Sequence, residues 1–370
     1  MIIGVLQEPS FETRVSVLPE AVATLTKKGI TVLIETGAGL QASAADEDYV
    51  IAGAQITAAT EIVSNADIIL SINRPAAPVP NQKILIGVYQ PLFNFQEMAI
   101  LAGNGVTIFS LDMLPRTTRA QSMDVLSSQA NIAGYKAVLL AANIFPKYFP
   151  MFMTAAGSIP PAKVLILGAG VAGLQAIATA RRLGAVVEVF DTRPAVREEV
   201  MSLGAKFVEV EGAADASKAG GYAVEQSIAF LQKQKQKIAD SIAKADIVIT
   251  TAQIPGKTAP VLVTAGMVEA MKKGSVIIDL AAATGGNTEL TKNNQTVNHA
   301  GVSIVGNSAL AASMPSDASK LYGKNVLNFL QLIIDKEGKL HLNWDDDLVK
   351  GSCITHGGNV VNERVKALIM

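Results

Sequence analysis

Short apolar runs rich in β-branched residues alternate along the chain with longer segments of helical periodicity. The first series of predicted strands comprises Ile2–Leu6, Thr31–Glu35, Asp67–Ile72, Lys83–Val88 and Val106–Ser110. The second series comprises Lys163–Leu167, Val186–Phe190, Lys206–Val210, Asp246–Thr250, Ser275–Asp279 and Val302–Val305. Helical patterns such as Pro19–Lys28 and Val171–Leu183 lie between the strands. Because apolar strands that alternate with helices form parallel sheets covered on both faces, the pattern predicts an α/β protein with two doubly wound sheets.

Two long helical segments predict how the two sheets are connected. Asp124–Ala142 has the pattern of one continuous helix, and Ser316–Leu332 that of another. Only about 40 residues follow the second helix, too few for a third domain, so the tail is expected to return to the first. We therefore predict a discontinuous first domain, residues 1–126 with 317–370, and a second domain of residues 127–316. The two helices would join the domains and leave a ligand cleft between them.

Composition excludes several classes of protein. The 370 residues include 31 Lys and Arg against 32 Asp and Glu, so the chain lacks the basic excess of a nucleic-acid-binding protein. The single cysteine, Cys353, excludes a disulfide framework and a multi-thiolate site, and no metal site is predicted. The apolar stretch Ala137–Gly157 contains Lys147, Pro146 and Pro150. A continuous spanning helix is therefore not expected, and the chain is predicted to be soluble without direct membrane insertion.

The strongest motif lies after the strand Lys163–Leu167. There Gly168-x-Gly170-x-x-Gly173 opens a helix that begins at Val171. In a dinucleotide site the first glycine permits a tight turn, the second lets the backbone approach a pyrophosphate, and the third lets the helix pack on the strand. The free N–H groups at the start of the helix would face the phosphate charge. The motif predicts a Rossmann-like second domain that binds a dinucleotide; the alternative is a glycine-rich turn without a ligand.

The end of the next strand carries Asp191-Thr192-Arg193. An acidic residue at this position accepts hydrogen bonds from the adenosine ribose. Its negative charge would repel a 2′-phosphate, so NAD is favoured over NADP, although Arg193 weakens that preference. We therefore predict NAD(H) as the cofactor.

Three other segments could contribute to a site. Pro115–Gln129 is dense in polar side chains, and it is either a ligand-facing loop or a solvated loop in which Asp124 or Ser122 caps the next helix. Glu211–Tyr222 is glycine-rich and predicts either a mobile loop that closes over a ligand or a plain surface connection. Gln253 follows a later strand, at the sheet edge where ligands of parallel sheets bind.

Together these motifs resemble the NAD(H)-binding component (domain I, the α or α1 subunit) of proton-translocating nicotinamide nucleotide transhydrogenase. The likeness extends over nearly the whole chain. Its marks are Glu12-Thr13-Arg14-Val15, Arg116 with Arg119-Ala-Gln121-Ser-Met-Asp124, Gly168–Gly173, Asp191-Thr-Arg193-Pro, Gly220-Gly221-Tyr222, and Ile278-Asp279-Leu280 leading to Gly285-Gly286-Asn287.

The resemblance implies a role for each matching residue. The catalytic residues, which hold the nicotinamide end of NAD, would be Arg116, Gln121, Asp124 and Ser127. The cofactor-binding residues would be Gly168, Gly170, Val171, Gly173, Asp191, Thr192, Arg193, Gly221, Tyr222 and Gln253. Tyr222 would belong to a mobile loop that folds over the bound nucleotide.

Departures from the related alanine dehydrogenases suggest which reaction to expect. Those enzymes use a lysine and a histidine in the first domain, where this chain has Arg74 and Gln90, and an aspartate where it has Ala283. Oxidising an amino acid removes a proton as well as a hydride, so that reaction needs a base. Exchanging a hydride between two nicotinamide rings needs only that they be held face to face. The absence of an obvious acid or base therefore favours hydride exchange over amino-acid oxidation.

The resemblance also implies partners. NADH would be presented to the NADP(H)-binding domain of a membrane β subunit, with a membrane-spanning α2-type subunit completing the assembly at the cytoplasmic face of the inner membrane. A homodimer is expected. The chain would be either a naturally split subunit or a truncated one, because it ends without a spanning segment. Two alternatives stay open: an alanine-dehydrogenase-like amino-acid dehydrogenase, and a non-catalytic NAD-responsive regulator.

Overall fold

The computed structural model describes residues 1–210 and 227–369. It divides into two compact units: unit 1 comprises residues 1–129 and 312–370, and unit 2 comprises residues 130–311. The helix Val125–Ile144 runs from unit 1 into unit 2, whereas the helix Pro315–Ile333 lies within unit 1. The mixed α/β architecture with parallel-strand sheets that the strand and helix alternation predicts is confirmed.

The elements follow in chain order. Those before residue 130 are β1 Ile2–Val5, α1 Pro19–Thr26, β2 Thr31–Glu35, α2 Asp46–Ile51, β3 Gln55–Thr57, α3 Ala59–Asn65, β4 Ile68–Leu70, β5 Ile84–Gly87, α4 Phe95–Gly103, β6 Thr107–Ser110 and the start of α5 Val125–Ile144. Unit 2 adds β7 Phe152–Thr154, β8 Gly157–Ile159, β9 Lys163–Leu167, α6 Val171–Arg182, β10 Val186–Phe190, α7 Arg197–Ser202, β11 Lys206–Phe207, α8 Ile228–Ile242, β12 Ile247–Thr250, α9 Ala265–Glu269, β13 Val276–Asp279, β14 Thr296–His299 and β15 Val302–Val305. The chain ends with α10 Pro315–Ile333, α11 Asp347–Ser352, β16 Cys353–His356, β17 Asn359–Val360 and α12 Glu363–Ile369.

The sheet of unit 1 has the strand order β17-β16-β6-β5-β4-β1-β2-β3. The six strands from β6 to β3 are parallel, and β16 and β17 extend one edge in antiparallel fashion. Alternate residues of a strand enter different cores: Ile68 and Leu70 pack on one face, and Ile69 packs on the other. Burial on both faces explains why these strands have continuous apolar sequences rather than an alternating pattern.

The sheet of unit 2 has the order β11-β10-β9-β12-β13-β15-β14, and its only antiparallel strand among the described residues is β14. Numbered within this sheet, the six parallel strands have the order 3-2-1-4-5-6 of a dinucleotide-binding fold. The direction of winding therefore reverses between β9 and β12. Ligands of such sheets bind beside the carboxyl ends of the strands at that reversal, which here are Leu167 and Thr250.

Several elements were not predicted from the sequence. These are the short strand β3, the β7–β8 hairpin, the antiparallel strands β14, β16 and β17, and the 3₁₀ turns. The predicted strand Lys206–Val210 ends earlier, at Phe207. The hairpin strands have no buried face, β14 and β17 contain no buried residue, and β16 is buried but has the mixed sequence Cys-Ile-Thr-His, so none of them has the apolar run by which buried strands are recognised.

Membrane-spanning helices and clustered metal ligands are both absent from the described residues. Among residues 1–210 and 227–369, no helix combines the length and apolar character required to cross a bilayer. The same residues contain no group of three or more histidine, cysteine, aspartate and glutamate side chains placed to hold a metal ion.

Candidate functional site

The glycines of the β9–α6 turn occupy three different environments. Gly168 has a φ of +107°, and a Cβ added there would lie 2.4 Å from the hydroxyl oxygen of Thr251. At Gly173 a Cβ would lie 1.9 Å from the carbonyl oxygen of Gly168, so the helix and the turn touch along their backbones. At Gly170 an added Cβ would meet nothing within 4 Å. Two of the glycines are therefore required by the fold, while the third faces open space.

The helix α6 begins at this open position. Gly170 is its N-cap residue, and no side chain caps the helix. Its first residue, Val171, is exposed and leaves the N-terminal turn accessible. Because the first N–H groups of a helix have no partner within the helix, and its dipole is positive at this end, the turn attracts an anion such as a pyrophosphate. The open space at Gly170 gives such a group room to approach the backbone.

The N-terminal turn of α6 also packs closely on α5. A Cβ at Gly134 would lie 2.1 Å from the carbonyl oxygen of Ala172, so only glycine allows this approach. The sequence motifs assign no role to Gly134, although a glycine within a long helix is itself a signal of close packing. This close contact between the backbones of α5 and α6 helps to fix the position of the N-terminal turn of α6.

The carboxylate of Asp191 lies beside the same turn. One of its oxygens accepts a hydrogen bond of 2.7 Å from the backbone N–H of Ala169, and the other accepts one of 2.8 Å from the backbone N–H of Arg193. The guanidinium of Arg193 also donates to both carboxylate oxygens, at 2.8 Å and 2.7 Å. This bonding to Asp191 raises the pKa of Arg193. Asp191 is the residue predicted to accept hydrogen bonds from the ribose hydroxyls, and its carboxylate is already bonded by Arg193. For the ribose to bind there, Arg193 would have to move away or share the carboxylate.

The turns after β12 and β13 are held together by buried polar groups. Asp279 is fully buried and accepts hydrogen bonds from the N–H of Asn287 at 2.7 Å and from the hydroxyl of Thr291 at 2.6 Å. The Asn287 side chain in turn bonds the N–H and the carbonyl of Ala252, at 3.0 Å and 2.8 Å. Asp279 and Asn287 therefore shape the turn that carries the exposed Gln253, whose amide donates to the Leu280 carbonyl at 3.0 Å.

In unit 1 the polar loop before α5 presents several of the predicted residues. Arg116 and Gln121 are exposed, while Asp124 and Ser127 are half-buried. The Asp124 carboxylate accepts hydrogen bonds from the backbone N–H of Ser127 at 2.9 Å and from its hydroxyl at 2.6 Å. Asp124, rather than Ser122, therefore caps the N-terminus of α5, and a ligand-facing role for this loop stays a prediction. The cap also fixes the relative positions of Asp124 and Ser127.

Other contacts fasten this loop to unit 1. Arg119 forms ion pairs with Asp346, at 2.6 Å, and with Asp347. The side-chain amides of Asn325 and Asn328 on α10 both donate to the carbonyl of Ser122. The sequence analysis assigned no role to either asparagine. The feature that could have indicated one is the spacing of three residues, which places both polar side chains on one face of an amphipathic helix.

The positions that align with the alanine dehydrogenase lysine and histidine have other partners. Arg74 pairs with Glu97 at 2.7 Å and donates to the carbonyl of Pro75 at 3.2 Å. Gln90 is exposed. Arg14, in one of the segments that carry the family resemblance, is half-buried and forms an ion pair of 2.6 Å with Glu12 and a hydrogen bond of 2.7 Å with Gln129. The described geometry thus gives no lysine or histidine that could serve as a base at these three positions.

The carboxyl group of Glu8, also in unit 1, allows a test of how the stability of the protein depends on pH. Its carboxylate accepts hydrogen bonds from the backbone N–H groups of Ile72 and Asn73. Burial raises the pKa of Glu8 above its ordinary value, although these bonds oppose the shift. Since the folded-state pKa lies above the unfolded one, the contribution of Glu8 to stability is complete below the unfolded pKa and is lost as the pH rises through the folded pKa.

The unfolding free energy of the wild type minus that of Glu8→Gln, measured by urea titration, should therefore fall as the pH rises above the ordinary glutamate pKa of about 4.3. The exposed Glu47→Gln change should give no such slope. If the unfolding free energy of the wild type minus that of Glu8→Gln rises with pH instead, the pKa of Glu8 is not raised in the folded protein.

Two predicted residues, Gly221 and Tyr222, and the rest of the predicted lid segment from 211 to 222, lie outside the described residues.

Comparison with known proteins gives matches over both units. The family model "Alanine dehydrogenase/PNT, N-terminal domain" matches residues 4–133, and "Alanine dehydrogenase/PNT, C-terminal domain" matches residues 137–363. A Rhodospirillum rubrum chain, named as the first portion of NAD(P) transhydrogenase subunit alpha, is 45% identical over 364 residues, which cover 95% of each chain. The solved transhydrogenase of Sinorhizobium meliloti has a TM-score of 0.89 and 45% identity, covering 98% of this chain and 100% of that one. A solved L-alanine dehydrogenase has a TM-score of 0.82 and 26% identity, covering 100% of this chain and 99% of that one.

Proposed function

The chain belongs to the alanine dehydrogenase/PNT family, and from this premise we propose that it is the NAD(H)-binding component of a proton-translocating transhydrogenase. Its role is to bind NADH and present it for direct hydride transfer to NADP⁺ on a partner subunit. The higher identity to transhydrogenases, 45% against 26% for the solved alanine dehydrogenase, favours this branch of the family.

One observation carries the proposal: the turn at Gly170 is open at the place where a pyrophosphate would sit, while its neighbouring glycines are enclosed. This arrangement fits a dinucleotide because the exposed start of α6 offers N–H groups and positive charge to the phosphates. Asp191 directly follows the adjacent strand, where a carboxylate can accept hydrogen bonds from ribose hydroxyls, and Gln253 lies on a turn at the same edge of the sheet. We assign the adenosine and pyrophosphate half of NAD(H) to this part of unit 2.

The loop before α5 is assigned the nicotinamide half. Its donors and acceptors are Arg116, Gln121, Asp124 and Ser127, which offer a cation, an amide, a carboxylate and a hydroxyl. Asp124 and Ser127 are held in one geometry by their mutual hydrogen bonds. Such groups can fix the orientation of a carboxamide and its ring, which is what direct hydride transfer requires.

The chemistry of the proposed reaction explains why none of these residues has to act as a base. Bound NADH supplies the hydride from C4 of its dihydronicotinamide ring, and NADH + NADP⁺ → NAD⁺ + NADPH balances with no proton moved in that step. The chain then has to bind, to orient and to exclude water. Arg74, paired with Glu97, and the exposed Gln90 are compatible with that role and would serve amino-acid oxidation poorly.

The decisive experiment mixes the purified chain with an NADP-binding partner domain and follows hydride transfer from NADH to an NADP⁺ analogue. Transfer that depends on both components supports the proposal. Amino-acid-dependent reduction of NAD⁺ by the chain alone would establish the dehydrogenase instead. NAD binding with no transfer to any competent partner would leave the non-catalytic regulator.

Asp191 allows a test of the preference for NAD over NADP. Asp191→Asn is expected to weaken NAD⁺ binding about tenfold, because a charge-assisted hydrogen bond to the ribose is lost. The variant should also discriminate less against NADP⁺, since the carboxylate that repels a 2′-phosphate is gone. Calorimetric titration with both nucleotides measures this, and an equal loss for NAD⁺ and NADP⁺ would contradict the assigned position.

We further propose a homodimer that is held at the cytoplasmic face of the inner membrane by an NADP(H)-binding β subunit and a membrane-spanning α2-type subunit. The exposed β7–β8 hairpin supports self-association. Its apolar side chains are unusually exposed, with Phe152 at 44% and Met153 at 73%, and Tyr148 stacks on Phe152 with ring centres 5.2 Å apart. Exposed apolar patches of this kind commonly mark contacts with another chain.

The hairpin therefore gives a prediction about oligomeric state. Met153→Asp is expected to shift the protein from dimer to monomer in light-scattering chromatography, because a carboxylate would be buried in an apolar contact. The matched change Lys235→Asp, on the exposed surface of α8, should leave the mass unchanged. A dimer that survives in Met153→Asp would remove the hairpin from the interface.

A further inference from the structure

Two asparagines of α10 bond the same backbone carbonyl in the loop that was assigned the nicotinamide half. The side-chain amide of Asn325 donates to the carbonyl oxygen of Ser122 at 2.8 Å, and that of Asn328 donates to it at 2.9 Å. The asparagines are three residues apart, so they lie on one face of the helix. A carbonyl oxygen has two lone pairs, and this pair of donors uses both.

The loop segment that receives these bonds is intrinsically weak. Thr118–Met123 is a 3₁₀ helix of six residues. Such helices seldom exceed three or four residues, because their hydrogen bonds are poorly aligned. The bond that would continue the segment, from the N–H of Asp124 to the carbonyl of Gln121, is long at 3.4 Å. Its conformation must therefore depend on contacts with the rest of unit 1.

Those contacts come from three directions. Ala120 and Met123 are buried in the same core as Val326 and Phe329 of α10. The ion pairs of Arg119 lie on the exposed side, where solvent makes such pairs weak. The third contact is the asparagine pair, which bonds the Ser122 carbonyl, in the stretch of backbone between Gln121 and Asp124. It therefore fixes the direction in which those two side chains leave the backbone.

The helix α10, which carries the two asparagines, is firmly anchored in unit 1. The helix α10 is 19 residues long, and its Tyr322 is fully buried, with its hydroxyl donating to the carbonyl of Ser71 at 3.2 Å. Asparagine is a poor helix former, so the sequence of α10 bears a cost at two positions to make these bonds. Asn325 has a further cost, because its buried side-chain oxygen has no hydrogen-bond partner.

We propose that Asn325 and Asn328 are positioning residues, which clamp the Ser122 carbonyl so that Gln121 and Asp124 are held ready for the nicotinamide ring. This inference rests on the proposed function for the part played by Gln121 and Asp124. The clamp itself is a property of unit 1 and can be tested without any reaction.

The test uses Asn325→Leu, Asn328→Leu and the double variant in the full chain. Leucine has a similar shape, at position 325 it also removes the unpartnered oxygen, and water can bond the carbonyl of the exposed Ser122 in place of the lost donors, so the melting temperature should change little. Hydrogen exchange of the peptide that covers residues 118–124 is expected to become about tenfold faster, because its external hydrogen bonds are lost. Lys324→Ala, an exposed change on the same helix, serves as the control and should leave exchange unchanged.

Hydride transfer to the partner domain gives the second readout. The kcat of the double variant is expected to fall about tenfold, while the KM for NADH changes far less, since misplaced groups affect the reacting geometry more than the bulk of binding. Asn328→Asp, which replaces the donor by a charge that repels the carbonyl, should lose more than Asn328→Leu. Unchanged exchange in the double variant overturns the clamp, and faster exchange with normal kcat overturns its positioning role. If the wild type transfers no hydride to any partner, the proposed function fails, and the exchange result alone still decides the clamp.

Discussion

Replacing Gly170 with alanine is expected to weaken NAD(H) binding by about tenfold to a hundredfold and to leave the melting temperature unchanged. The backbone at Gly170 has φ −78° and ψ −170°, a conformation that alanine adopts readily. The added methyl group would enter space that is open within 4 Å. It would therefore clash with nothing, and the poorer N-cap that alanine makes is offset by the reduced freedom of the unfolded chain. The methyl group would, however, occupy the place where the pyrophosphate has to approach the backbone. Calorimetry with NAD⁺ and NADH, together with thermal unfolding, measures the two effects separately.

Two other glycines provide the controls. Gly173→Ala should destabilise the fold by at least about 1–3 kcal/mol, because its methyl group would overlap the carbonyl oxygen of Gly168. Gly266→Ala, in α9, adds a methyl group that also meets nothing within 4 Å, and it should raise stability by about 1 kcal/mol or less and leave NAD binding unchanged. Normal NAD affinity in Gly170→Ala would show that the nucleotide does not bind at this turn.

Replacing Asp124 with asparagine is expected to lower kcat for hydride transfer by about a hundredfold, while NAD affinity changes only a few-fold. Asparagine caps helices about as well as aspartate, so the acceptor for the Ser127 N–H and the start of α5 should be kept. The variant loses the negative charge and the second carboxylate oxygen, which in the wild type accepts a hydrogen bond from the Ser127 hydroxyl. Stopped-flow transfer with the partner domain, and equilibrium titration of NADH, give the two numbers.

The control for this experiment is Thr118→Ala, an exposed change in the same loop, for which normal kcat is expected. If Asp124→Asn loses affinity and rate in equal measure, the carboxylate acts in binding and has no special role in the reacting geometry. If the wild type binds NAD but transfers no hydride with any competent partner and oxidises no amino acid, the non-catalytic regulator is favoured.

The parallel strands of both sheets other than β3 were predictable because each is an apolar run that ends at a turn. Lys163–Leu167 and Val186–Phe190 have the bounds that the sequence predicts. The hairpin β7–β8 was not predictable, because its residues are exposed and its pairing depends on no buried face. The strand β16 was missed for a different reason: its neighbour β6 lies far away in the sequence, and its register is interrupted by a bulge.

The candidate site shows the same division. The spacing of Gly168, Gly170 and Gly173 predicts a tight turn and a close helix, and the packing at these glycines agrees with that interpretation. Their role in binding NAD stays a prediction. No pattern in the sequence indicates that Arg193 holds the Asp191 carboxylate, because a contact made through side chains depends on rotamers that the backbone spacing does not fix.

By itself, the sequence determined the alternation of buried strands with helices, the glycine turn before α6, and the polar loop before α5. These features follow from local periodicity and from the conformations open to a few neighbouring residues. Only the tertiary structure decided which strands lie side by side, and that Asn325 and Asn328 meet Ser122 across sequence separations of 203 and 206 residues. The physical reason is that such contacts are set by the packing of a whole unit, in which residues distant along the chain share one core.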